Sequence, residues 1–417
     1  MGKRRLYRRG AVVILISLAT GCVTAPVQPL TATGHAYAES DDEKKLIQRA
    51  GELDDEFNRK GLLLSDAEVN AYVRSVADRL IPPQAAGAVV FRVHVLRDPV
   101  VNAFALANGS IYLNAGLLAR LENEAQLAHV LSHEIAHVVQ RHGLQRQRNR
   151  TATVVTAHIA DLALFGTSIA YLPAIGALAG HSRENEIEAD RLALDYMAQT
   201  GYSLQGAEQM FKLLQEVKYK ESLWGSVYSS HPDNQQRAQY TREILDSGKL
   251  APSSAAAVTV RDYTGLRDRL ILETVRLKLN VRQYELATEY VDKALARNPR
   301  SAWLHYYRGE AHRLMAEDPA GAAREYAWIY DKTYSDELVE QYRHKKSSLL
   351  DAAKQAYRQS LSVDKKFAYA HRGLGLVAYA EGEAKAAQEA LRYYLANATE
   401  VNDRRYIDNI IGRLDNK

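Results

Sequence analysis

The sequence predicts an α+β chain: a mainly helical first domain with a small β-sheet, followed by an all-α domain of helical repeats. Three patterns carry this reading. Phe91–Leu96 alternates as a strand among segments of 3.6-residue apolar periodicity. Pro252-Ser-Ser-Ala-Ala-Ala257 breaks the composition like a linker. Beyond it the pattern is helical, with a repeat of about thirty-four residues.

Residues 1–21 read as a secretory signal. Lys3, Arg4, Arg5, Arg8 and Arg9 precede the apolar run Ala11–Ala19, which is too short to span a bilayer comfortably. The run ends Leu18-Ala-Thr-Gly-Cys22, the pattern of a bacterial lipoprotein cleavage site. Cys22 is therefore expected to carry lipid, and Val23 after it favours the outer membrane over the inner one. A plain signal peptide with an incidental cysteine is the alternative. Cys22 is the only cysteine, so no internal disulfide is possible.

Removing residues 1–21 takes away five basic and no acidic residues, leaving 49 Lys and Arg against 50 Asp and Glu. That balance gives no reason to expect a nucleic-acid partner. The remainder is long enough for two domains with their own cores.

Residues 22–40, rich in Ala, Thr, Pro and Gly, read as a flexible tether, and a first domain spans 41–250. Residues 41–82 show two amphipathic helical patterns, the second stopped by Pro82-Pro83. After the 91–96 strand, Ala103–Leu106 and Ser110–Leu113 flank Asn108-Gly109, a strong hairpin signal.

From Asn123 to Arg141 the apolar residues Leu127, Val130, Leu131, Ile135 and Val138 recur at helical spacing, and Gly143 is the expected stop. This helix carries His133-Glu-Ile-Ala-His137. Two imidazoles one turn apart on one face can bind a zinc ion, and Glu134 beside them can take a proton from an activated water. A core helix with two satisfied histidines is the plainer reading, but it would bury Glu134 without a task. His129 and His142 read as ordinary hydrogen-bonded or solvated histidines.

A third ligand should come from another helix. In Glu184–Asp190, helical phase puts Glu186, Asp190, Ala193 and Met197 on one stripe that turns apolar and so points inward. Glu184, Glu188, Arg191 and Asp195 share a charged stripe that should face water. Glu186 is thus the available carboxylate, and Asp190 can orient a ligand histidine through its far nitrogen.

Together these residues resemble the HtpX, LoiP and BepA group of zinc metallopeptidases. The His-Glu-x-x-His helix is followed by Ser182, Arg183, Glu186, Ala189 and Asp190 at the spacing of that group. Val101–Leu118 is similar to its hairpin, and His231-Pro-Asp-Asn-Gln-Gln-Arg237 to its His-Pro-…-Arg element. The likeness spans roughly residues 45–245. His181 departs from it, since relatives usually carry an aromatic residue there. The resemblance implies a zincin-type metallopeptidase domain in which His133, His137 and Glu186 hold Zn²⁺ and Glu134 acts as general base. His231 is the candidate to stabilise the tetrahedral intermediate. The resemblance adds a second role, in which this histidine occupies the open zinc position and holds the enzyme latent. Arg237 either orients the His231 loop, steadies the intermediate or lies at the surface.

The hairpin either completes the core or offers a free edge to an extended substrate backbone. In the second reading the strand near Gly109–Leu113 is the edge, with Gly109, Ser110 and Ile111 as substrate-binding positions. Residues 152–180 are mostly apolar, interrupted by His158, Asp161 and Pro173 and preceded by Arg146, Arg148 and Arg150. They read as core helices or as a membrane-touching hairpin.

Residues 251–265 form the linker and 266–417 the repeats. Ala287, Ala294 and Pro299 fall at tetratricopeptide (TPR) positions, Gly309 fits the next unit, and Leu374, Gly375, Gly382 and Ala387 fit the last. Residues 351–366 resemble the second helix of a middle unit, whereas 315–345 fit poorly. Fifteen of the 25 tyrosines lie in 251–417. Most suit inter-helix packing, and a concave Tyr-rich surface would suit unfolded or partner segments. This tail places the resemblance nearest the BepA type. It implies unfolded or misassembled outer-membrane proteins as substrates and the outer-membrane β-barrel assembly machinery as a partner of the repeats. It also implies the periplasmic side of the envelope, with lipidated Cys22 in the membrane. The rival is a lipid-anchored adaptor or chaperone with a structural zinc, closed by a fourth protein ligand.

Overall fold

The computed structural model describes residues 27–32, 38–149, 181–221, 231, 234–253 and 262–415. The expectations for the signal segment, Cys22 and residues 152–180 lie outside the described residues. Among the described residues, no helix is long and apolar enough to cross a membrane.

Helices α1 (Asp41–Arg59) and α2 (Ala67–Leu80) stand where the periodicity predicts them. Asp66 caps α2 by accepting from the N–H groups of Glu68 and Val69, and the helix gives way at Ile81, just before Pro82. One short turn, α3 (Pro83–Ala86), leads to the sheet. Residues 27–32 are not free tether: the Leu30 N–H donates to the Val139 carbonyl at 2.8 Å, and the Leu30 side chain packs on the core.

Three strands, β1 (Arg92–Leu96), β2 (Ala103–Ala105) and β3 (Ser110–Asn114), form a sheet in the order β1-β3-β2. Gly109 makes the hairpin turn at φ +85°, and a Cβ there would stand 2.6 Å from the Val90 carbonyl oxygen. β2 pairs antiparallel with β3, and β1 lies parallel on its other side. This corrects the expected edge. β3 is the central strand, and Ser110 and Ile111 are wholly buried, so Gly109, Ser110 and Ile111 present no free ladder to a substrate. Residues 62–64 cover part of β1 through a bridge at Leu63–Leu96, which leaves β2 as the more open edge among the described residues.

The chain continues through α4 (Ala115–Arg120), α5 (Glu124–Val139), α6 (His142–Asn149), α7 (Arg183–Gln199), α8 (Gln205–Glu221) and α9 (Asn234–Asp246). The break after α5 falls at Arg141, which takes the left-handed φ of +57°, and not at Gly143, which lies inside α6. Every residue of α5 is buried, since it packs against α2, β2, α7 and α8.

The remaining helices are α10 (Thr264–Asn280), α11 (Tyr284–Arg297), α12 (Ala302–Glu317), α13 (Pro319–Ile329), α14 (Asp336–His344), α15 (Lys346–Val363), α16 (Ala368–Glu381), α17 (Ala384–Asn397) and α18 (Arg404–Asp415). Neighbours pack as α10 with α11, α12 with α15, and α16 with α17. The pair α13–α14 is therefore inserted between the two partners of the middle hairpin, which explains why residues 315–345 fit no repeat. Close approach is secured by Gly309 and Gly373, which both lie against the Tyr357 ring. A Cβ at either would lie 2.4 or 2.3 Å from it. The α10 helix lies on α4, where Tyr263 donates to the Leu118 carbonyl at 2.7 Å, and Arg97 bonds Glu273 at 3.0 Å.

Candidate metal centre

Helix α5 begins at Asn123, whose side chain accepts from the Gln126 N–H. Glu124 in its first turn is buried and tied to Tyr202, Tyr72 and Arg79. This anchoring fixes the rotation of the helix and hence the direction of the two histidines near its end. α7 begins at Ser182, which caps Asn185, and lies directly against α5. Its stripe of Glu186, Asp190, Ala193 and Met197 is buried, as helical phase predicted.

Four side-chain atoms converge between these helices. His133 Nε2 and His137 Nε2 are 3.0 Å apart. Glu186 reaches them at 3.5 and 3.4 Å. His231 Nδ1 stands 3.2 Å from His133 Nε2 and 3.1 Å from both Glu186 oxygens. A tetrahedral zinc with ligands at about 2.0–2.1 Å requires edges of roughly 3.3–3.4 Å, and the observed separations of 3.0–3.5 Å, with Glu186 using both oxygens, suit an ion of that size. The charges agree. Glu134, Glu186 and Asp190 are buried beside a single guanidinium, Arg237, an excess of carboxylates that a divalent cation would offset.

The surrounding shell orients these donors. His133 Nδ1 lies 2.9 Å from Asp190 Oδ1, so this carboxylate faces the far nitrogen of the ligand histidine. Arg237 grips Asp190 with two bonds, at 2.7 and 2.8 Å, and reaches Glu186 at 2.8 Å. It is buried beneath the Phe211 ring and is not a surface residue. Against burial, which favours the neutral acid, Arg237 and His133 hold Asp190 well below the usual carboxylate range. Burial likewise works to raise Glu134, but the charges of His231, His133 and His137 outweigh it and keep the carboxyl low. Burial opposes charge on His231, whereas Glu186 and Glu134 on either side hold its pKa up at about 10.

Two contacts were not legible in the sequence. His142, read as ordinary, meets His137 Nδ1 at 2.8 Å and turns its other nitrogen to Glu188 at 3.3 Å. Glu188, expected in water, is thus drawn half under cover. The only local signal is a histidine five residues after His137, and it needs the left-handed Arg141 to fold it back. His181 lies flat on His137, ring centroids 3.8 Å apart and planes 13° from parallel. A flat imidazole fills the place for which an aromatic ring was expected.

Glu134 Oε1 is 3.3 Å from His231 Nε2, while Oε2 has no hydrogen-bond partner among the described residues. Beside it an apolar cavity is lined by Leu117, Val130, Met210, Phe211 and Leu214. Ala103 of β2 closes one side, its carbonyl 3.3 Å from His231 Nε2. Gly109, Ser110 and Ile111 do not line this cavity.

The model of peptidase family M48 matches residues 65–245, the stretch that holds all of these groups. That stretch is similar to peptidase family M48. Over 213 residues the chain is 30% identical to the mitochondrial metalloendopeptidase OMA1 of Schizosaccharomyces pombe, covering 50% of this chain and 63% of the relative. It is 28% identical over 280 residues to the beta-barrel assembly-enhancing protease of Escherichia coli K12, 58% of this chain and 57% of the relative. It is 34% identical over 168 residues to the metalloprotease YcaL of the same organism, 39% and 64%. The chain therefore spans less than two thirds of each of these proteins. The matched stretch carries a buried His₃Glu cluster, His133, His137, Glu186 and His231, able to hold a metal.

Proposed function

We propose that the chain is a zinc endopeptidase of the bacterial envelope, held latent by His231, that hydrolyses unfolded or misassembled outer-membrane proteins. The observation that carries this reading is Glu134: a buried carboxylate with one unpartnered oxygen, set beside a four-donor cluster and an apolar cavity. Such a group has no structural task there.

His133, His137 and Glu186 would hold Zn²⁺, with Asp190, His142 and Arg237 keeping those ligands in place. The ion would polarise the scissile carbonyl and lower the pKa of a water. Glu134 is placed to take that water's proton and pass it to the leaving amine. An extended substrate would run along β2, the edge nearest His231, with one side chain in the apolar cavity. His231, swung off the fourth corner, would offer its imidazole to the developing oxyanion.

A cluster closed by four protein ligands also fits a structural metal, and with it the adaptor reading. The unpartnered Glu134 oxygen and the adjoining cavity favour a latch instead. Lipidation of Cys22, the periplasmic face of the outer membrane and a TPR-type scaffold in helices α10–α18 belong to the same proposal. They are supported by the signal pattern, the stacked helix pairs and the likeness to the beta-barrel assembly-enhancing protease of Escherichia coli. In that proposal the repeats engage the β-barrel assembly machinery, and nucleic acid has no part.

The test is the full-length Glu134→Gln chain. It should retain zinc, cleave no unfolded substrate, and co-purify unfolded outer-membrane proteins after crosslinking. Retained cleavage would remove Glu134 as base.

A further inference from the structure

We propose that the cleft between the M48-like domain and helices α10–α11 is a binding site for a phosphate-type oxyanion. This goes beyond the peptidase reading and does not depend on it. The cleft encloses about 230 Å³. Arg120 stands on the M48-like wall, and Arg267, Lys293 and Arg297 stand on the other.

The partners of these cations separate them into two groups. Lys293 pairs with Glu289 at 3.0 Å, and Lys212 at the rim pairs with Glu208 at 3.1 Å. Arg120 donates to the Tyr290 hydroxyl at 2.7 Å and lies over its ring. Arg267 and Arg297 differ: among the described residues neither guanidinium has an ion pair or hydrogen bond. Arg267 is only 8% exposed, and its Nε is buried without an acceptor. Burial and the charge of Arg267 pull Arg297 below the usual arginine range, and Asp268 and Glu122 offset this only in part.

Two neighbouring guanidiniums, one of them desolvated, are unfavourable unless an anion lies between them. The planar fork of arginine matches tetrahedral and planar oxyanions through paired N–H bonds. The cleft has room for a phosphate and its ester. No strand edge lines it to hold a run of acidic peptide, so a phosphate group is favoured over a polypeptide. Because the walls come from both halves of the chain, such a ligand would clamp helices α10–α11 onto the M48-like domain near the start of α5.

The experiment follows thermal unfolding and calorimetric binding of the full-length chain with inorganic phosphate and pyrophosphate, against chloride at equal ionic strength. Cys22→Ser protein is also co-sedimented with phosphatidylglycerol vesicles. Phosphate should bind and stabilise the unsubstituted chain, and Arg267→Met and Arg297→Gln should each weaken this at least about tenfold. Without phosphate, Arg267→Met should unfold at the same or a higher temperature, since it removes an uncompensated buried charge. Vesicle binding lost in Arg267→Met, with no response to free phosphate, would identify a lipid headgroup as the source. The site is overturned by no response to either probe, by a response unchanged in Arg267→Met, or by a response to polyglutamate alone.

Discussion

His231 Nδ1 stands 3.1 Å from both carboxylate oxygens of Glu186, so the imidazole occupies the corner that a peptidase metal keeps open for water or substrate. In the proposed latent state the histidine would exclude substrate. His231→Ala should therefore keep its zinc and raise basal cleavage of an unfolded protein several-fold, measured by loss of full-length casein. A variant that loses its zinc would instead make His231 a structural ligand.

His142 braces His137 from behind, and Glu188 braces His142. A group in this position typically contributes about 10–100-fold to metal affinity. His142→Phe should weaken zinc binding by that factor while leaving the fold intact, as read by chelator competition and circular dichroism. Unchanged affinity would show that the contact does nothing for the metal.

Helices α12, α15 and α16 share an acid-sensitive joint. Glu310 is buried on α12, with Arg313 at 2.8 Å and Arg372 at 3.2 Å. Burial works to raise its pKa, but these arginines and Tyr357 bring it down to about 2 from an ordinary 4.5. The folded state thus binds fewer protons than the unfolded chain between those values. The resulting stability, on the order of 3 kcal/mol, is full above pH ~4.5 and is lost as pH falls towards ~2. Glu310→Gln should flatten that acid limb and cost about 1–3 kcal/mol at neutral pH, because Arg313 and Arg372 each lose one carboxylate while keeping Glu317 and Asp403. An unaltered acid limb in urea titrations of the variant would contradict this.

What the sequence made legible follows the range of each interaction. The phase of α7 is local, so the division of Glu186 and Asp190 from Glu184 could be made from spacing alone. The hairpin at Asn108-Gly109 is local too. The parallel pairing of β1 with β3 is not, and an alternating pattern does not say how many neighbours a strand has. That is why the sequence leaves open whether β3 lies inside the sheet or at its edge. His142 depends on one left-handed residue, Arg141, and on a distant Glu188. The middle helix pair was obscured because α13–α14 separates α12 from α15, and only packing around Tyr357 shows which helix is the partner.

The central claim is that His133, His137 and Glu186 clasp one divalent ion. It is tested most directly by the zinc content of the purified full-length chain beside Glu186→Ala. The account predicts one zinc per chain in the unsubstituted protein and well under one in the variant. An unsubstituted chain that holds no zinc, even after incubation with it, would contradict the account.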